Sequence, residues 1–370
     1  MIVAPERIPV RTPGGSYDVL VGPGLLRVVG GLVKRLAPGA RCFLVTDGNV
    51  ARLHGPIVEG SILDAGVELF VATQNPGEAS KNWFEAGMMM ELLSEAGFGR
   101  DSVLVALGGG VVGDLAGFVA SVYMRGVPVV HVPTTLLAQV DSSIGGKTGV
   151  DLRHGKNLAG TYWQPLMVLS DTSCLASLPE SEWRCGFAEL AKSAFLAGDA
   201  ETAGLEASCE QLVVGDEETV RAAVLMAAGF KARVVSGDER EDCDREQLNY
   251  GHTLAHALER ELGYGTVSHG VAVAEGMRFA AALSARLAGA APEWVQRQER
   301  LLDSLGLTRG SYDLASDKLL AAMHADKKAR DGKVRFILSR EPGQWSAVTV
   351  EDDILREALD MWRQQGREGS

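Results

Sequence analysis

The segment Val103-Leu104-Val105-Ala106-Leu107-Gly108-Gly109-Gly110-Val111-Val112-Gly113-Asp114 predicts the fold of the first half of this chain. A short apolar run, typical of a strand, leads into a glycine-rich turn, after which a helical pattern begins. Gly108, Gly110 and Gly113 satisfy GxGxxG, a spacing that lets the backbone approach a pyrophosphate at a helix N-terminus. A tight strand-to-helix turn without a ligand uses the same residues. The motif also begins roughly a hundred residues into the chain, which argues against an ordinary nucleotide-dependent dehydrogenase.

Short apolar runs alternate with helical patterns around this segment, and that alternation predicts a parallel α/β sheet. The predicted strands are residues 42–46, 68–71, 103–107 and 127–132, and a predicted helix covers residues 83–96. Beyond about residue 178 the pattern is mostly helical, in the stretches 181–197, 217–236, 246–261, 270–288 and 291–305, with one strand at 334–338. The sequence therefore predicts a Rossmann-like α/β domain over residues 1–178, followed by a mostly α-helical domain over residues 179–370. Residues 364–370 are predicted to fray.

The composition excludes several classes of function. At 370 residues the chain is long enough for two domains, and its net charge of −12 gives no electrostatic support for nucleic-acid binding. It contains no run of about 18 apolar residues, so no membrane span is expected, and the pattern of a signal peptide is missing. The five cysteines are scattered without a CxxC pair, which indicates reduced thiols. Together these features predict a cytoplasmic enzyme.

The run Arg245-Glu246-Gln247-Leu248-Asn249-Tyr250-Gly251-His252-Thr253-Leu254-Ala255-His256 carries a concentration of ionisable side chains. If the run is one helix, four polar residues share one face within an arc of roughly 60°. They are Arg245, Asn249, His252 and His256. A polar face requires partners, and paired histidines followed by His269 are consistent with a metal site. Buried histidines that only form hydrogen bonds explain the same spacing. The run lacks the Glu of HExxH, so a zinc protease is not supported.

Two loops of the first half carry groups suited to anions. Thr134 and Thr135 follow a predicted strand, so they lie at the carboxyl edge of the sheet, where ligands bind in α/β folds. Downstream of Asp141, the run Gly145-Gly146-Lys147-Thr148 ends like a phosphate-binding P-loop but lacks the earlier glycine of that motif. A lysine on a glycine-rich loop beside an Asp is instead a good anion or hydroxyl contact, and Lys156-Asn157 repeats this chemistry.

These ordered motifs resemble the 3-dehydroquinate synthase family of sugar-phosphate cyclases, from about residue 8 to about residue 340. The resemblance rests on Pro76–Lys81, residues 108–118, Tyr123–Pro128, residues 133–157, Gly186–Lys192, Lys231 with Asp238–Arg240, Arg245–His256, Ser268–Gly270, Asp326–Lys328 and residues 333–338. It implies an N-terminal Rossmann-like domain that binds NAD, followed by a mostly α-helical metal-binding domain. The implied enzyme is a carbon–oxygen lyase of the shikimate pathway, which leads to chorismate and the aromatic amino acids.

The resemblance implies a divalent metal, Zn²⁺ or Co²⁺, bound by Glu189, His252 and His269. A further coordination position would stay open for substrate oxygens, as a catalytic site requires. His256 would not be a ligand but would contact the substrate phosphate or a bound water, a distinction that the spacing alone does not make. Lys192 lies three residues after Glu189, and without the resemblance this pair would be interpreted as a surface ion pair.

The implied organic cofactor is NAD⁺. Its binding residues would be Asp47, Asn49, Glu78, Lys81, Gly109, Gly110, Val111, Asp114, Thr134, Thr135, Lys147, Lys156, Cys174 and Ser177. The catalytic and substrate-binding residues would be Asp141, Lys147, Asn157, Glu189, Lys192, Lys231, Arg245, Asn249, His256 and Lys328. A basic pocket in an acidic chain suits a dianionic sugar acid. Arg125 would reach the site of a neighbouring subunit, which implies a homodimer.

The implied substrate is 3-deoxy-D-arabino-heptulosonate 7-phosphate. In the implied reaction the metal polarises the C5 oxygen and NAD⁺ takes a hydride from C5, which acidifies C6 so that phosphate is eliminated. The hydride then returns, the ring opens, and an intramolecular aldol step closes the carbocycle of 3-dehydroquinate. Because the hydride returns, the reaction has no net redox change.

Several alternatives remain at the level of sequence. Leu254-Ala255 and the neighbours of Lys192 depart from the family pattern by packing-sized changes. Related cyclases act on sedoheptulose 7-phosphate or on an amino analogue of the heptulosonate, or make inosose rings. The residues expected to hold a carboxylate favour the heptulosonate or its amino analogue. A metal-dependent polyol or alcohol dehydrogenase is a second class, and a catalytically silent ligand-binding homologue is a third. The basic pocket argues against the former, and the intact catalytic segments argue against the latter.

Overall fold

The computed structural model describes residues 4–325 and 333–368. The chain forms two compact units, of which the first contains Met1–Pro179 and Val220–Arg240. The second unit contains Glu180–Thr219 and Glu241–Ser370. The first change of unit lies next to residue 178, where the sequence predicts a boundary. A single boundary does not account for Val220–Arg240, which follow Glu180–Thr219 in the chain but belong to the first unit.

The part of the chain before Glu180 alternates strands and helices. Its elements are β1 (Glu6–Thr12), β2 (Gly15–Gly22), α1 (Val29–Leu36), β3 (Arg41–Asp47), α2 (Gly48–Leu53), α3 (Gly55–Asp64), β4 (Leu69–Gln74), α4 (Trp83–Glu95), β5 (Ser102–Gly108), α5 (Gly110–Val122), β6 (Val129–Pro133), β7 (Lys147–Leu152), β8 (Gly155–Tyr162) and β9 (Met167–Asp171). Strands β3 to β6 and helix α4 confirm the predicted elements of this half.

Seven described strands of the first unit form a large sheet in the order β1-β2-β9-β6-β5-β3-β4, and β7 and β8 form a separate two-stranded sheet. Strands β1 and β2 pair antiparallel, and the remaining neighbours pair parallel. The central strand β5 is buried on both faces. Leu104 and Ala106 pack with α4 and α5, whereas Val103 and Val105 pack with α1 and α3. A strand covered on both faces requires a continuous apolar run, as the sequence shows here. The predicted fold class is confirmed.

The strand order of this sheet reverses between β3 and β5. From β3 the chain moves outward to β4, whereas β5 lies on the other side of β3 and is followed farther out by β6 and β9. The loops that leave the carboxyl ends of β3 and β5 therefore diverge. Such a point is where α/β sheets open a crevice for ligands. The loops begin at Asp47 and Gly108.

Beyond Pro179 the chain is mostly helical. Its elements are α6 (Glu180–Ala197), α7 (Asp199–Ala207), α8 (Cys209–Val213), α9 (Glu217–Gly237), α10 (His252–Leu262), α11 (His269–Leu287), α12 (Pro292–Ser304), α13 (Ser316–His324), β10 (Val334–Glu341), β11 (Gln344–Val350) and α14 (Asp352–Glu368). From Val220 onward α9 belongs to the first unit. Helices α6, α9, α11 and α12 and strand β10 confirm predicted elements. In the described residues, no helix combines the length and apolar character that a membrane crossing requires.

The prediction of one helix over residues 246–261 is wrong. Asp244–Asn249 form a 3₁₀ segment, Gly251 is left-handed with a φ of 81°, and α10 starts only at His252. Glycine takes this conformation without steric cost, so the chain turns here instead of continuing as a helix. Arg245 and Asn249 therefore do not share a helix face with the two histidines that follow.

Several elements were missed by the sequence analysis. They are the hairpins β1–β2 and β7–β8, strands β9 and β11, and helices α7, α8, α13 and α14. The hairpin strands expose one face, so they lack the continuous apolar run of the central strands. Residues 364–368, predicted to fray, belong to α14. Leu355, Leu359 and Trp362 of this helix are buried in one apolar cluster, and their helical spacing was the available signal.

Candidate functional site

Three side chains that could bind one metal ion come together in the second unit. Glu189 lies on α6, His252 begins α10 and His269 begins α11. One ligand atom from each residue lies within 4.8 Å of the other two. These are the residues that the family resemblance implies as ligands. A carboxylate with two imidazoles is a donor set typical of catalytic zinc sites.

Both imidazoles turn the same ring nitrogen toward the carboxylate. The Nε2 atoms of His252 and His269 lie 3.4 Å and 3.5 Å from Oε1 of Glu189. The Nδ1 atom of His252 is 3.1 Å from the carbonyl oxygen of Tyr250, and that of His269 is 3.5 Å from Oε2 of Glu259. A histidine that binds metal through Nε2 keeps its proton on Nδ1 and needs an acceptor there. Both rings are therefore oriented as ligands.

Close helix contacts at glycine bring these elements together. A Cβ atom on Gly270 would overlap the backbone of Cys185, which lies one turn before Glu189 on α6. A Cβ atom on Gly276 of α11 would overlap the carbonyl oxygen of Gly251, the residue before His252. The absence of side chains at these glycines lets α11 approach both α6 and the start of α10.

Glu189 and Lys192 are both buried, each with 1% of its side chain exposed. The expectation of a surface ion pair, based on residue spacing alone, is therefore wrong. Burial raises the pKa of the Glu189 carboxyl, but the neighbouring Lys192 and His252 outweigh burial and hold that pKa well below its usual value. The Glu189 side chain is therefore a buried anion that depends on nearby positive charge.

The residues fit a divalent metal. Oε2 of Glu189 contacts Nζ of Lys192, whereas Oε1 has the two imidazole Nε2 atoms at 3.4 Å and 3.5 Å and, among the residues described, no hydrogen bond of good geometry. A bound cation would satisfy this oxygen. Burial lowers the pKa of His269, but Glu189 and Glu259 raise it to about 9. The proton shared with these carboxylates would have to leave when a metal binds, as is usual for histidine ligands.

His256 lies near this group without belonging to it. Its ring centre is 5.6 Å from that of His252, and the two rings are perpendicular. In the described residues the cluster of potential ligands contains Glu189, His252 and His269 only. The structure therefore distinguishes two histidines whose spacing in the sequence is equally suggestive.

The other substrate-binding candidates of the second unit lie just before α10. Arg245 is buried within the 3₁₀ segment, with 1% of its surface exposed. The side-chain amide of Asn249 donates a hydrogen bond of 2.7 Å to Oε1 of Glu241. Lys328 lies outside the described residues.

The remaining candidates of this kind belong to the first unit. Nζ of Lys231 on α9 is 2.7 Å from Oδ1 of Asp141, so an ion pair orients this lysine. The backbone N–H of Asn157 donates to Asp151 at 2.8 Å, and Asn157 is left-handed with a φ of 55°. Lys147 and Arg125 are exposed.

The glycine-rich turn joins β5 to α5 at the point where the sheet order reverses. A Cβ on Gly109 would lie 2.9 Å from Cγ2 of Thr135, and one on Gly110 would lie 3.1 Å from Oγ of Ser142. The N–H of Thr134 donates to the carbonyl of Gly108 at 3.0 Å, which ties the two predicted loops together. Glycine at these two positions therefore lets Thr135 and Ser142 pack against the start of α5, a helix N-terminus of the kind that binds a pyrophosphate.

Charged residues expected to contact NAD form a paired cluster in the same unit. Nζ of Lys81 lies 2.6 Å from Oδ2 of Asp114, and Nζ of Lys156 lies 3.4 Å from Oε1 of Glu78. Burial lowers the pKa of Lys81, but Asp114 and Glu78 outweigh it and raise that pKa above its usual value. Lys81 is therefore a buried cation whose ammonium group is held in one orientation by Asp114.

The last group of expected NAD contacts lies on the loops after β3 and β9. The Asp47 carboxylate accepts hydrogen bonds from the backbone N–H groups of Asn49 and Val50, so it caps α2. The Ser177 hydroxyl donates to the carbonyl of Cys174 at 2.7 Å, and it lies 3.0 Å from Nε2 of His54. Burial raises the pKa of Cys174, so this cysteine is a neutral thiol.

Glu259 lies beside the candidate metal ligands but is not among the residues predicted from the sequence. It lies on α10 two turns after His252, so the periodicity of that helix could have placed it beside the histidines. The sequence does not show that α11 brings His269 to the same location. The contact of Glu259 with His269 could therefore be identified only from the structure.

Known proteins resemble this chain over most of its length. A family model described as 3-dehydroquinate synthase N-terminal matches residues 71–185, and one described as 3-dehydroquinate synthase C-terminal matches residues 186–329. A curated 3-dehydroquinate synthase of Rhodospirillum rubrum is 44% identical over 336 residues, which cover 89% of this chain and 87% of the relative. A 3-dehydroquinate synthase of Shouchella clausii is 41% identical over 360 residues, covering 95% and 98%.

Solved structures share the fold. A 2-epi-5-epi-valiolone synthase of Streptomyces hygroscopicus with NAD⁺ and Zn²⁺ bound has a TM-score of 0.87 at 28% identity, covering 95% of this chain and 98% of its own. A 2-deoxy-scyllo-inosose synthase with carbaglucose-6-phosphate, NAD⁺ and Co²⁺ has a TM-score of 0.86 at 23% identity, covering 97% and 99%. A probable glycerol dehydrogenase of Sinorhizobium meliloti, at 17% identity and a TM-score of 0.65 with coverage of 99% and 100%, shows likeness of fold alone.

The buried pair on α6 leads to a prediction about stability. Glu189→Gln or Lys192→Met leaves one charge buried without its partner, so each should destabilise the metal-free protein by about 3–5 kcal/mol. The double variant should be less destabilised than the sum of the two, by more than about 1 kcal/mol. Urea unfolding measures all four proteins of the cycle.

The matched control is the exposed ion pair of Glu180 and Arg184 on the same helix. Glu180→Gln and Arg184→Met should couple by less than about 0.5 kcal/mol, because solvent screens this pair. Additive effects of Glu189→Gln and Lys192→Met would contradict the interaction described here.

Proposed function

This chain belongs to the 3-dehydroquinate synthase family, and from that membership we propose how its residues convert 3-deoxy-D-arabino-heptulosonate 7-phosphate to 3-dehydroquinate and phosphate. The observation that carries the function is the 40–44% identity to 3-dehydroquinate synthases over 89–96% of the chain. The chain is accordingly an enzyme of the lyase class. The cofactors, the residues that bind them and the assembly form the proposal.

The metal ligands would be Glu189, His252 and His269, and the metal Zn²⁺ or Co²⁺. Their support is the mutual approach of their ligand atoms to within 4.8 Å. NAD⁺ would bind at the glycine-rich turn between β5 and α5, supported by the helix N-terminus that follows these glycines and by the reversal of strand order. When bound, the metal polarises a substrate oxygen and NAD⁺ accepts and returns a hydride. The solved cyclases named above carry the same classes of cofactor.

The protein's own residues would bind and orient the substrate. Lys192, Lys231 and Arg245 would supply positive charge for its phosphate and carboxylate, because cationic donors bind such groups strongly. Lys147, Asn157, Asn249, His256 and Lys328 would add donors. The ion pair with Asp141 fixes Lys231, and the contact with Glu189 fixes Lys192. Fixed donors hold the substrate in one conformer, which reduces the entropic cost of each step.

The deciding experiment measures products from the heptulosonate 7-phosphate with NAD⁺ and Zn²⁺ or Co²⁺. Because the hydride returns to the substrate, equal amounts of phosphate and 3-dehydroquinate should form while absorbance from NADH stays flat. Net NADH formation with glycerol and other simple alcohols would indicate a polyol dehydrogenase instead. Turnover of sedoheptulose 7-phosphate or of the amino analogue in preference to the heptulosonate would indicate a different cyclase.

The ligand assignment predicts different metal contents for alanine variants of the three histidines. His252→Ala and His269→Ala should each lose bound metal, because a donor is removed from a three-residue set. His256→Ala should retain its metal and lose most of its turnover, because this residue would contact substrate. Metal content by mass spectrometry of the purified proteins measures the difference. Loss of metal from His256→Ala would contradict the assignment.

We also propose that the enzyme acts as a homodimer in which Arg125 serves the partner's site. Arg125 ends a short turn with Met124, and both are left-handed, with φ values of 67° and 50°. Met124 and Val122 expose 45% and 39% of their surface beside it. An exposed, conformationally constrained arginine with apolar neighbours suits a subunit contact. The cytoplasmic location stays a prediction of the sequence analysis.

Mixing two inactive variants tests this assembly. Arg125→Ala and Lys231→Ala should each be inactive alone. In a mixed dimer, one site combines the intact Lys231 of one chain with the intact Arg125 of the other. Random reassembly should therefore restore about a quarter of the wild-type activity. If Arg125 acts within its own chain, the mixture stays inactive.

A further inference from the structure

Glu259 contacts one of the two histidines of the metal cluster from outside. It lies on α10 and has 3% of its surface exposed. Its Oε2 is 3.5 Å from Nδ1 of His269, whose Nε2 is 3.5 Å from Glu189. The imidazole of His269 thus lies between two buried carboxylates.

The two histidines differ in what their outer nitrogen meets. Nδ1 of His252 faces a backbone carbonyl, that of Tyr250, at 3.1 Å. Nδ1 of His269 faces a carboxylate, which is a stronger acceptor because it is charged. A carboxylate in this position fixes the tautomer and the orientation of a metal-binding imidazole. It also makes Nε2 more basic, and so a stronger metal ligand.

The location of Glu259 on α10 gives this contact a second consequence. Residues seven apart on a helix lie on one face, so α10 presents His252 and Glu259 in the same direction. One helix would therefore supply a ligand directly and also orient the ligand supplied by α11. The helix pair α10 and α11 would act as one frame for two of the three ligands.

We infer that Glu259 is a positioning residue that sets the metal affinity of the site through His269. This inference rests on the proposed metal site. A purely structural role, in which Glu259 only holds α11 against α10, is the competing explanation. Under that explanation, loss of Glu259 would reduce stability and leave the metal affinity of the folded protein unchanged.

The test compares Glu259→Gln and Glu259→Asp with a matched control. Glu275→Gln alters another buried glutamate of the second unit, which accepts hydrogen bonds from the backbone of Gly310 and the indole of Trp362. Glu259→Gln conserves size and removes charge, whereas Glu259→Asp conserves charge and shortens the side chain. The full-length proteins are stripped of metal, and thermal unfolding establishes that each is folded. Affinity for Co²⁺ and Zn²⁺ is then measured by competition with a chelator, together with the visible absorption spectrum of the Co²⁺ forms.

Glu259→Gln should bind both metals about 10- to 100-fold more weakly than wild type and show a shifted Co²⁺ spectrum. Glu259→Asp should recover part of the affinity. Glu275→Gln should lose stability but keep wild-type affinity and spectrum. Equal affinity and an unchanged spectrum in folded Glu259→Gln would overturn this inference alone. A wild-type protein that binds neither metal would overturn the proposed metal site and this inference with it.

Discussion

The second unit is organised around a carboxylate that is buried in a helical core. Removing a charge from water is expensive unless other charges and hydrogen bonds replace the solvent. For Glu189 the replacement comes from Lys192 on the same helix and from His252 and His269 at the starts of two others. Three helices must therefore meet at one point, with little tolerance in their spacing. A divalent cation would satisfy the same requirement more completely, so the electrostatic needs of the fold and of the chemistry coincide.

Small residues make that meeting possible. Side chains between α11 and its neighbours would separate the very groups that the buried carboxylate needs. Gly270 removes that obstacle where α11 meets α6, and Gly276 removes it where α11 meets the residue before α10. Gly251 adds a backbone turn that no other residue type takes without cost, so that α10 starts at the candidate ligand His252. The first unit also uses glycine for close packing, since Gly109 and Gly110 let Thr135 and Ser142 approach the start of α5 at a sheet edge. In both units the location of the functional groups depends on residues that have no side chain.

Much of the fold followed from the sequence because its strongest signals are local. The central strands β3 and β5 contain continuous apolar runs, β6 is interrupted only by His131, and α6, α9, α11 and α12 show clear helical patterns with bounds close to those predicted. The run from Arg245 to His256 failed because its polar periodicity continues through Gly251, where the backbone leaves the helix. The left-handed conformation of Gly251 interrupts the helix here. The spacing of polar and apolar residues does not reveal the φ of a glycine. The resemblance implied Glu189, His252 and His269 as candidate metal ligands, but spacing could not separate His252 from His256, nor show that Lys192 is buried. Those properties depend on which helix lies opposite, and that is determined by tertiary packing.

The return of Val220–Arg240 to the first unit has a consequence for biosynthesis. Domains tend to fold as units while the chain emerges from the ribosome, beginning at the N-terminus. Here the first unit stays incomplete until Arg240 has emerged, by which time Glu180–Thr219 of the second unit is already outside. At this stage of synthesis both units are therefore incomplete. The sheet of the first unit lacks α9, and Glu180–Thr219 lack the rest of the second unit. A gene fragment ending near residue 178 would encode the large sheet but omit Val220–Arg240 of the same unit. Residue 178 is therefore a poor position at which to truncate the chain, although it is the simplest boundary to draw from the sequence.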